Sequence, residues 1–360
     1  MLKKIILLLL LIILIHPFIH STNHRSLKFL QRVGTDTLTI IGVGDIMMGN
    51  NYPDDSALPP YDGQYLFRWV SEILSDADVA MGNLEGVLLN QGGTVKTCRN
   101  PKVCYVFRSP ERYVQNLVTA GFDVMSIANN HAGDFGDMGT RSTIRTLETA
   151  GIYHAGQLAK PYTTFEKKGV KYGFVAFAPN SGCVNINDLE GARKIVLHLD
   201  SICDVVMVSF HGGAEGPQYQ HVPRNYELFY GENRGNVYQL AHTLIDAGAD
   251  VVFGHGPHVV RAVEVYKDRF IAYSLGNFCT YGGINVSGIN GLAPIVKVYT
   301  DKQGAFLQAK ITSGIQDFMT SVKIDSQKQV IKKMQLLTQQ DFPDAKIAID
   351  DEGWVKKSTK

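Results

Sequence analysis

Six apolar runs in this chain end on the same punctuation: a glycine, carboxylate, amide or imidazole. Residues 38–43 run into Gly44-Asp45, residues 79–81 into Gly82-Asn83-Leu84-Glu85, and residues 123–127 into Ala128-Asn129-Asn130-His131. Residues 205–210 end at His211-Gly212-Gly213, residues 249–253 at Gly254-His255-Gly256-Pro257-His258, and residues 270–273 at Ser274-Leu275-Gly276-Asn277. Short apolar runs without polar alternation read as strands of a sheet buried on both faces. Between them lie helical signals: residues 65–74, residues 110–120 with Pro110 at the start and Gly121 as the stop, residues 140–150 before Gly151, and residues 236–247 before Gly248. Residues 295–299 and 305–311 flank Asp301-Lys302-Gln303-Gly304, a hairpin signal. This alternation predicts an α/β fold with helices covering the sheet faces, in one domain over residues 38–311. Residues 312–360 read as a C-terminal extension that packs on the domain or trails it. Polar residues gather at the strands' C-terminal ends, where open α/β sheets bind ligands. The loop over residues 50–64, rich in Pro, Asp and Gly, is expected to lie over that site.

Charge narrows the function. The net charge is +1 and no basic run occurs in the body of the chain, so no nucleic-acid partner is expected. At 45% apolar and 19% charged residues, the chain is a folded protein and not a disordered one. The N-terminus differs: Met1-Leu2-Lys3-Lys4 is basic, residues 5–15 are unbroken apolar, and Pro17 and polar residues follow. That pattern predicts an export signal or membrane anchor over residues 1–25, and places the remainder in the cell envelope, periplasmic or extracytoplasmic. In that compartment Cys98 and Cys104, flanking a short loop, suit a disulfide. Cys183, Cys203 and Cys279 are scattered and read as core residues; there is no C-x-x-C to suggest a thiolate metal site.

The strand ends carry the candidate chemistry. Asp45 reads as a ligand or as a turn cap, Asn83 and Glu85 as site or loop residues, and Asn129-Asn130-His131 as site residues or an Asx turn. His211 alone could be a hydrogen-bonded core histidine. His255 and His258, on a turn stiffened by Pro257, are better placed to aim two nitrogens at one point. Glu215 reads as a partner of His211, a direct acid-base group or a surface carboxylate. Carboxylate, amide oxygen and imidazole together suit zinc, manganese or iron. A pair of such metals activates a bridging hydroxide.

The ordered series Gly44-Asp45-Ile46-Met47, Asn83-Leu84-Glu85, Ala128-Asn129-Asn130-His131 with Asp134 and Gly136, His211-Gly212-Gly213 with Glu215, Gly254-His255-Gly256-Pro257-His258-Val259 and Ser274-Leu275-Gly276-Asn277-Phe278 resembles the CapA family of bacterial poly-γ-glutamate capsule synthesis proteins. That family is similar to the calcineurin-like metallophosphoesterases. The resemblance implies a four-layer α/β/β/α sandwich with one or two divalent metals (Mn, Zn or Fe) at the strand ends. It implies Asp45 on a first metal, Glu85 bridging, Asn130, His211 and His255 on the second, and His258 reaching back to the first. His131 is implied as a general acid, with Glu215 as a further catalytic candidate. Two departures from the phosphoesterases stand out: Met47 where they place a histidine, and Glu85 where they place a bridging aspartate. Two more depart from the CapA pattern itself: Gly212-Gly213 where a tryptophan often follows the histidine, and Gly256 where a third histidine is common. The expected function is capsule or envelope polymer synthesis or processing by a metal-dependent hydrolase or transferase with a metal-bound hydroxide. Its substrate would be an anionic polymer or phosphoester, and its partners envelope or membrane capsule-assembly proteins. The alternative is a non-catalytic envelope protein that binds or helps export an anionic polymer.

Overall fold

The computed structural model describes residues 37–98 and 104–358. The expected export segment over residues 1–25 lies outside the described residues. The chain builds half of one sheet, then all of a second, then returns to finish the first. Strands β1 (Thr37–Met47), β2 (Val79–Leu84), β3 (Val124–Ser126) and β4 (Tyr153–Ala155) pair in parallel in that order. Helices α1 (Ser71–Ser75), α2 (Val114–Ala120) and α3 (Gly136–Thr149) connect them. The second sheet takes β5 (Tyr162–Lys167), β6 (Val170–Phe177), β7 (Val205–His211), β8 (Val251–His255), β9 (Val263–Tyr266) and β10 (Arg269–Ala272), in the spatial order β9-β10-β8-β7-β6-β5. Its crossovers are α4 (Leu189–Asp200) and α5 (Val237–Asp246). The side chains of Asp188 and Asn236 cap these two helices. The chain then re-enters the first sheet with β11 (Asn277–Thr280) beside β1, followed by β12 (Ile295–Asp301) and β13 (Phe306–Thr312). After α6 (Gln329–Asp341), β14 (Ile347–Ile349) and β15 (Trp354–Lys357) complete its edge. Residues 347–357 of the C-terminal extension thus add an edge to the first sheet.

Burial shows why the sheets face each other. Every residue of β2, β7 and β8 is buried, as expected of strands covered on both sides, whereas β12 alternates. Along β1, Leu38 and Ile40 join a core shared with the second sheet, while Ile41 and Val43 join a separate core beneath α1, α2 and α3. The layers are therefore helices, sheet, sheet, helices. The sheets approach so closely at Gly42 that a Cβ there would lie 2.5 Å from the Phe253 ring. A side chain at residue 42 would push the layers apart.

Two expectations are corrected. Residues 65–74 are not one helix: i→i+3 bonds such as Leu66 N–H to Gly63 O and Val70 N–H to Phe67 O run through residues 63–70, and α1 begins only at Ser71. The loop over residues 50–64 does not cover the strand ends. Asn51 bonds Arg108 and Asp62 pairs with Arg112, so this loop packs against residues 106–116. Among the described residues, no helix is long and apolar enough to cross a membrane.

Candidate functional site

Strand register assembles the site. Parallel pairing sets Asp45 of β1 between Asn83 of β2 and Asn277 of β11. In the other sheet it sets His211 directly beside His255. Both strands of that pair end here, and Gly212 N–H donates to His255 O at 2.8 Å. The His255–His258 turn packs on this loop: a Cβ on Gly256, whose φ is +115°, would lie 2.7 Å from Gly212 O. Glycine satisfies both the dihedral and the close approach.

Asp45, Glu85 and His258 form the centre, each with a potential ligand atom within 4.8 Å of the others. His258 Nδ1 lies 3.1 Å from Asp45 Oδ2 and 3.0 Å from Asn277 Oδ1, and its Nε2 lies 3.6 Å from Glu85 Oε1. Asn83 donates to Asp45 Oδ1 at 2.9 Å, and its own Oδ1 accepts from Asn129 at 3.0 Å. Asn129 Oδ1 in turn accepts from His131 N–H at 3.0 Å, the Asx turn that the sequence allows. Buried polar atoms normally find partners. Here Asp45 Oδ2, both Glu85 oxygens, Asn130 Oδ1 and His211 Nε2 are buried without a hydrogen bond. Two carboxylates, an amide oxygen and one imidazole carry these unspent atoms, and with the neighbouring His258 ring they match the donor types of a divalent cation.

Electrostatics agree. Burial first, then the neighbouring Asp45 charge, pushes the Glu85 carboxyl up, against the opposing pull of His258. Burial disfavours a charged His258, but Glu85 and Asp45 outweigh it and raise its pKa. The site thus draws in positive charge. Burial, followed by nearby cationic groups, holds His211 well below the ordinary histidine range, in the neutral form that ligates.

His255 does not join this set. Its Nε2 lies 2.9 Å from Val43 O and its Nδ1 3.2 Å from Ser209 Oγ. A carbonyl only accepts, so Nε2 carries the proton and Nδ1 takes the serine hydroxyl. Both nitrogens are spent on pinning β8 to β1 and β7. The expectation of His255 as a ligand is corrected by this geometry, and His258 is the member of the pair that faces the carboxylates. Met47 is likewise no donor to the cluster: it is buried with Phe107 and Ile284, and its sulfur accepts from Gly49 N–H.

His131 sits beside the centre, with Nε2 3.9 Å from Glu85 Oε1. Its Nδ1 lies 2.7 Å from Asp134 Oδ2. Lys96 Nζ approaches that nitrogen at 3.3 Å but is closer to Asp134 Oδ1, at 2.5 Å. Nδ1–H donates to the nearer carboxylate oxygen, which leaves the lone pair on Nε2. Burial foremost lowers the His131 pKa, with Asp134 opposing. The ring packs against Phe107 with centroids 4.2 Å apart and planes tilted by 33°, and Phe107 N–H donates to Asp134 Oδ2 at 2.6 Å. Cys98 and Cys104 are disulfide-bonded on the loop that carries both Lys96 and Phe107.

A cleft of about 800 Å³ opens over these residues, lined by Asn130, His131 and His258 and, further along, by Asn180, Glu215 and Arg234. Glu215 is ion-paired to Arg234 at 3.0 Å, and so serves first to hold the guanidinium. Lys96, Asn180 and Arg234 were not visible as site residues in the sequence. Lys96 and Arg234 follow no apolar strand run and become site residues only through packing from distant loops. Asn180 does follow one, residues 170–177, but Ala178-Pro179 between them carries none of the glycine, carboxylate or imidazole punctuation of the other strand ends.

The chain matches the model of a protein family described as bacterial capsule synthesis protein PGA_cap over residues 39–281. It is 30% identical over 262 residues to the capsule biosynthesis protein CapA of Bacillus anthracis, covering 68% of this chain and 60% of that protein. It is 29% identical over 259 residues to the PGA biosynthesis protein CapA of Bacillus subtilis (strain 168), covering 68% and 63%. The chain thus spans about three fifths of the length of these relatives. Among solved structures, a 5'-nucleotidase precursor from Thermus thermophilus aligns with TM-score 0.44 and 13% identity, over 84% of this chain and 58% of that one.

Proposed function

This chain belongs to the bacterial capsule synthesis protein PGA_cap family, and we propose that it is an exported, metal-dependent hydrolase or transferase acting on an envelope polymer of the poly-γ-glutamate type. One observation carries the reading: Asp45, Glu85 and His258 bring their ligand atoms together beside a cleft that His258 and Asn130 line, and five atoms on Asp45, Glu85, Asn130 and His211 are buried without hydrogen bonds. Asp45, Glu85 and His258 would hold a divalent cation, with Asn130 and His211 offering further donors. Such an ion supplies Lewis acidity toward a carbonyl or phosphoryl oxygen and toward water. His131, with its Nδ1 proton fixed by Asp134, presents a lone pair at Nε2 and accepts a proton there, returning it to a leaving group later in the cycle. Phe107 and the Lys96–Asp134 pair hold that ring in place. The family's capsule role and the basic and apolar N-terminal sequence support the proposed compartment.

Met47 favours a second reading. The side chain at that position is tucked into an apolar cluster, which leaves one cation site better furnished than two. A protein with one such site could bind an anionic polymer without turning it over. Turnover decides between them. The purified full chain, loaded with manganese or zinc, is incubated with poly-γ-glutamate and with phosphoester substrates. Cleavage or transfer that disappears in Glu85→Gln supports the enzyme reading. Metal retention with no turnover of either substrate class replaces it with the binding reading.

A further inference from the structure

Away from the carboxylate centre, the same cleft has a second polar feature. Glu232, on the short hairpin that pairs Leu228–Phe229 with Glu232–Asn233, is gripped by two cleft residues: Asn180 Nδ2 donates to Oε1 at 2.8 Å and Arg234 Nη1 to Oε2 at 3.1 Å. A carboxylate only accepts, so this contact fixes the Asn180 amide with its oxygen turned away from Glu232. That oxygen, Oδ1, is buried and has no hydrogen bond. Arg234 is 2% exposed, anchored through Nε to Gly213 O at 3.1 Å. Its Nη2 lies 3.0 Å from Glu215 Oε1 without an aligned hydrogen bond, and is also buried without one. One unspent acceptor and one unspent donor therefore sit on the two residues that share a single carboxylate.

We propose that Asn180 and Arg234 form an amide-reading subsite, which takes a substrate C=O on Arg234 Nη2 and a substrate N–H on Asn180 Oδ1. Charge selects this ligand. Glu215 and Glu232 both contact the guanidinium, so the local charge is not positive, and a phosphate or a bare carboxylate placed there would face both of them. An amide is uncharged and carries one donor and one acceptor in a fixed plane, matching two planar partners. The proposal rests on the polymer-acting reading above and narrows it: the bond brought to the site is flanked by amides and is not an isolated phosphoester. Leaving either buried atom unpaired against a ligand without an amide would weaken that ligand's binding.

The test measures binding of three probes to the full chain by calorimetry: poly-γ-glutamate (amides and carboxylates), polyacrylate (carboxylates alone) and oligo-β-alanine (amides alone). Asn180→Ala, on a part-buried loop, is expected to weaken both amide probes roughly three- to tenfold, the value of one hydrogen bond, and to leave polyacrylate unchanged. Arg234→Lys, which keeps the charge and removes Nη2, should do the same, with folding checked by thermal melting. Equal losses for polyacrylate, no loss for the amide probes, or failure of both amide probes to bind the wild type overturns the subsite. If oligo-β-alanine binds and responds to Asn180→Ala while poly-γ-glutamate binds no better than it, the subsite stands and the anionic-polymer reading falls.

Discussion

His255 and His258 lie three residues apart on one turn, and they inhabit opposite kinds of surroundings. Around His255 every polar atom is used: Val43 O, Ser209 Oγ and both ring nitrogens are mutually satisfied in a buried seam between sheets. Around His258 the carboxylate oxygens of Asp45 and Glu85 are buried with their hydrogen-bonding capacity largely unspent. The first arrangement stabilises the fold. The second destabilises it unless something positive enters. Two imidazoles that look equivalent in the sequence are therefore separated by what their partners still lack.

The largest effect should come from the unsatisfied region. Glu85→Gln or His258→Ala is expected to lower divalent metal affinity by at least about tenfold to 100-fold, the scale on which removing a supporting partner of a ligand already acts. Elemental analysis and calorimetry read it out. Because the Glu85 carboxyl is buried beside Asp45 with both oxygens unmet, Glu85→Gln should also raise the unfolding temperature in chelator, by a few degrees per kcal/mol relieved. Unchanged metal content in both variants would remove the centre from this region.

His255 should show the reverse. His255→Leu keeps most of the volume but strands Val43 O and Ser209 Oγ, and is expected to cost roughly 2–4 kcal/mol of stability in denaturant unfolding. Metal bound per folded molecule should change little. Loss of metal as complete as in His258→Ala would erase the distinction between the two rings.

A third histidine provides a control outside the cleft. His154 is fully buried, its Nδ1 has no hydrogen bond, and its pKa is lowered to about 4, by burial first and then by Lys160, with Glu148 opposing. Its folded pKa lies below the unfolded value, so the unfolded chain binds the proton more readily. Stability from this group is complete above pH ~6.5 and falls as pH drops toward about 4, by at most ~3 kcal/mol. His154→Phe should flatten that part of the pH–stability profile and leave metal binding alone. An unchanged slope would show that burial of this imidazole has no such consequence.

Much of this was legible in the chain because burial on both faces leaves a simple mark. The strands ending at Asp45, Asn83, Asn130, His211 and His255 are predominantly apolar runs, and the structure places all of them in the two facing sheets. Edge elements were harder. β5, β9, β14 and α6 alternate polar and apolar residues like loops, and the α4 helix escaped notice because half its surface is charged. The Cys98–Cys104 bond was readable from spacing and compartment.

The sequence alone determined the α/β alternation and the set of polar residues at strand ends, since these depend on periodicity and local order, and its ordered motif series carried the resemblance that pointed to the family and the layered sandwich. It could not decide which of those residues keep a free ligand atom. That depends on pairing across great sequence distances: Val43 and Ser209 spend both nitrogens of His255, Asp134 and Lys96 orient His131, and Glu232 turns the Asn180 oxygen away and leaves it unspent. Hydrogen-bonding capacity is a property of the neighbours as much as of the residue, and only the tertiary structure chooses the neighbours.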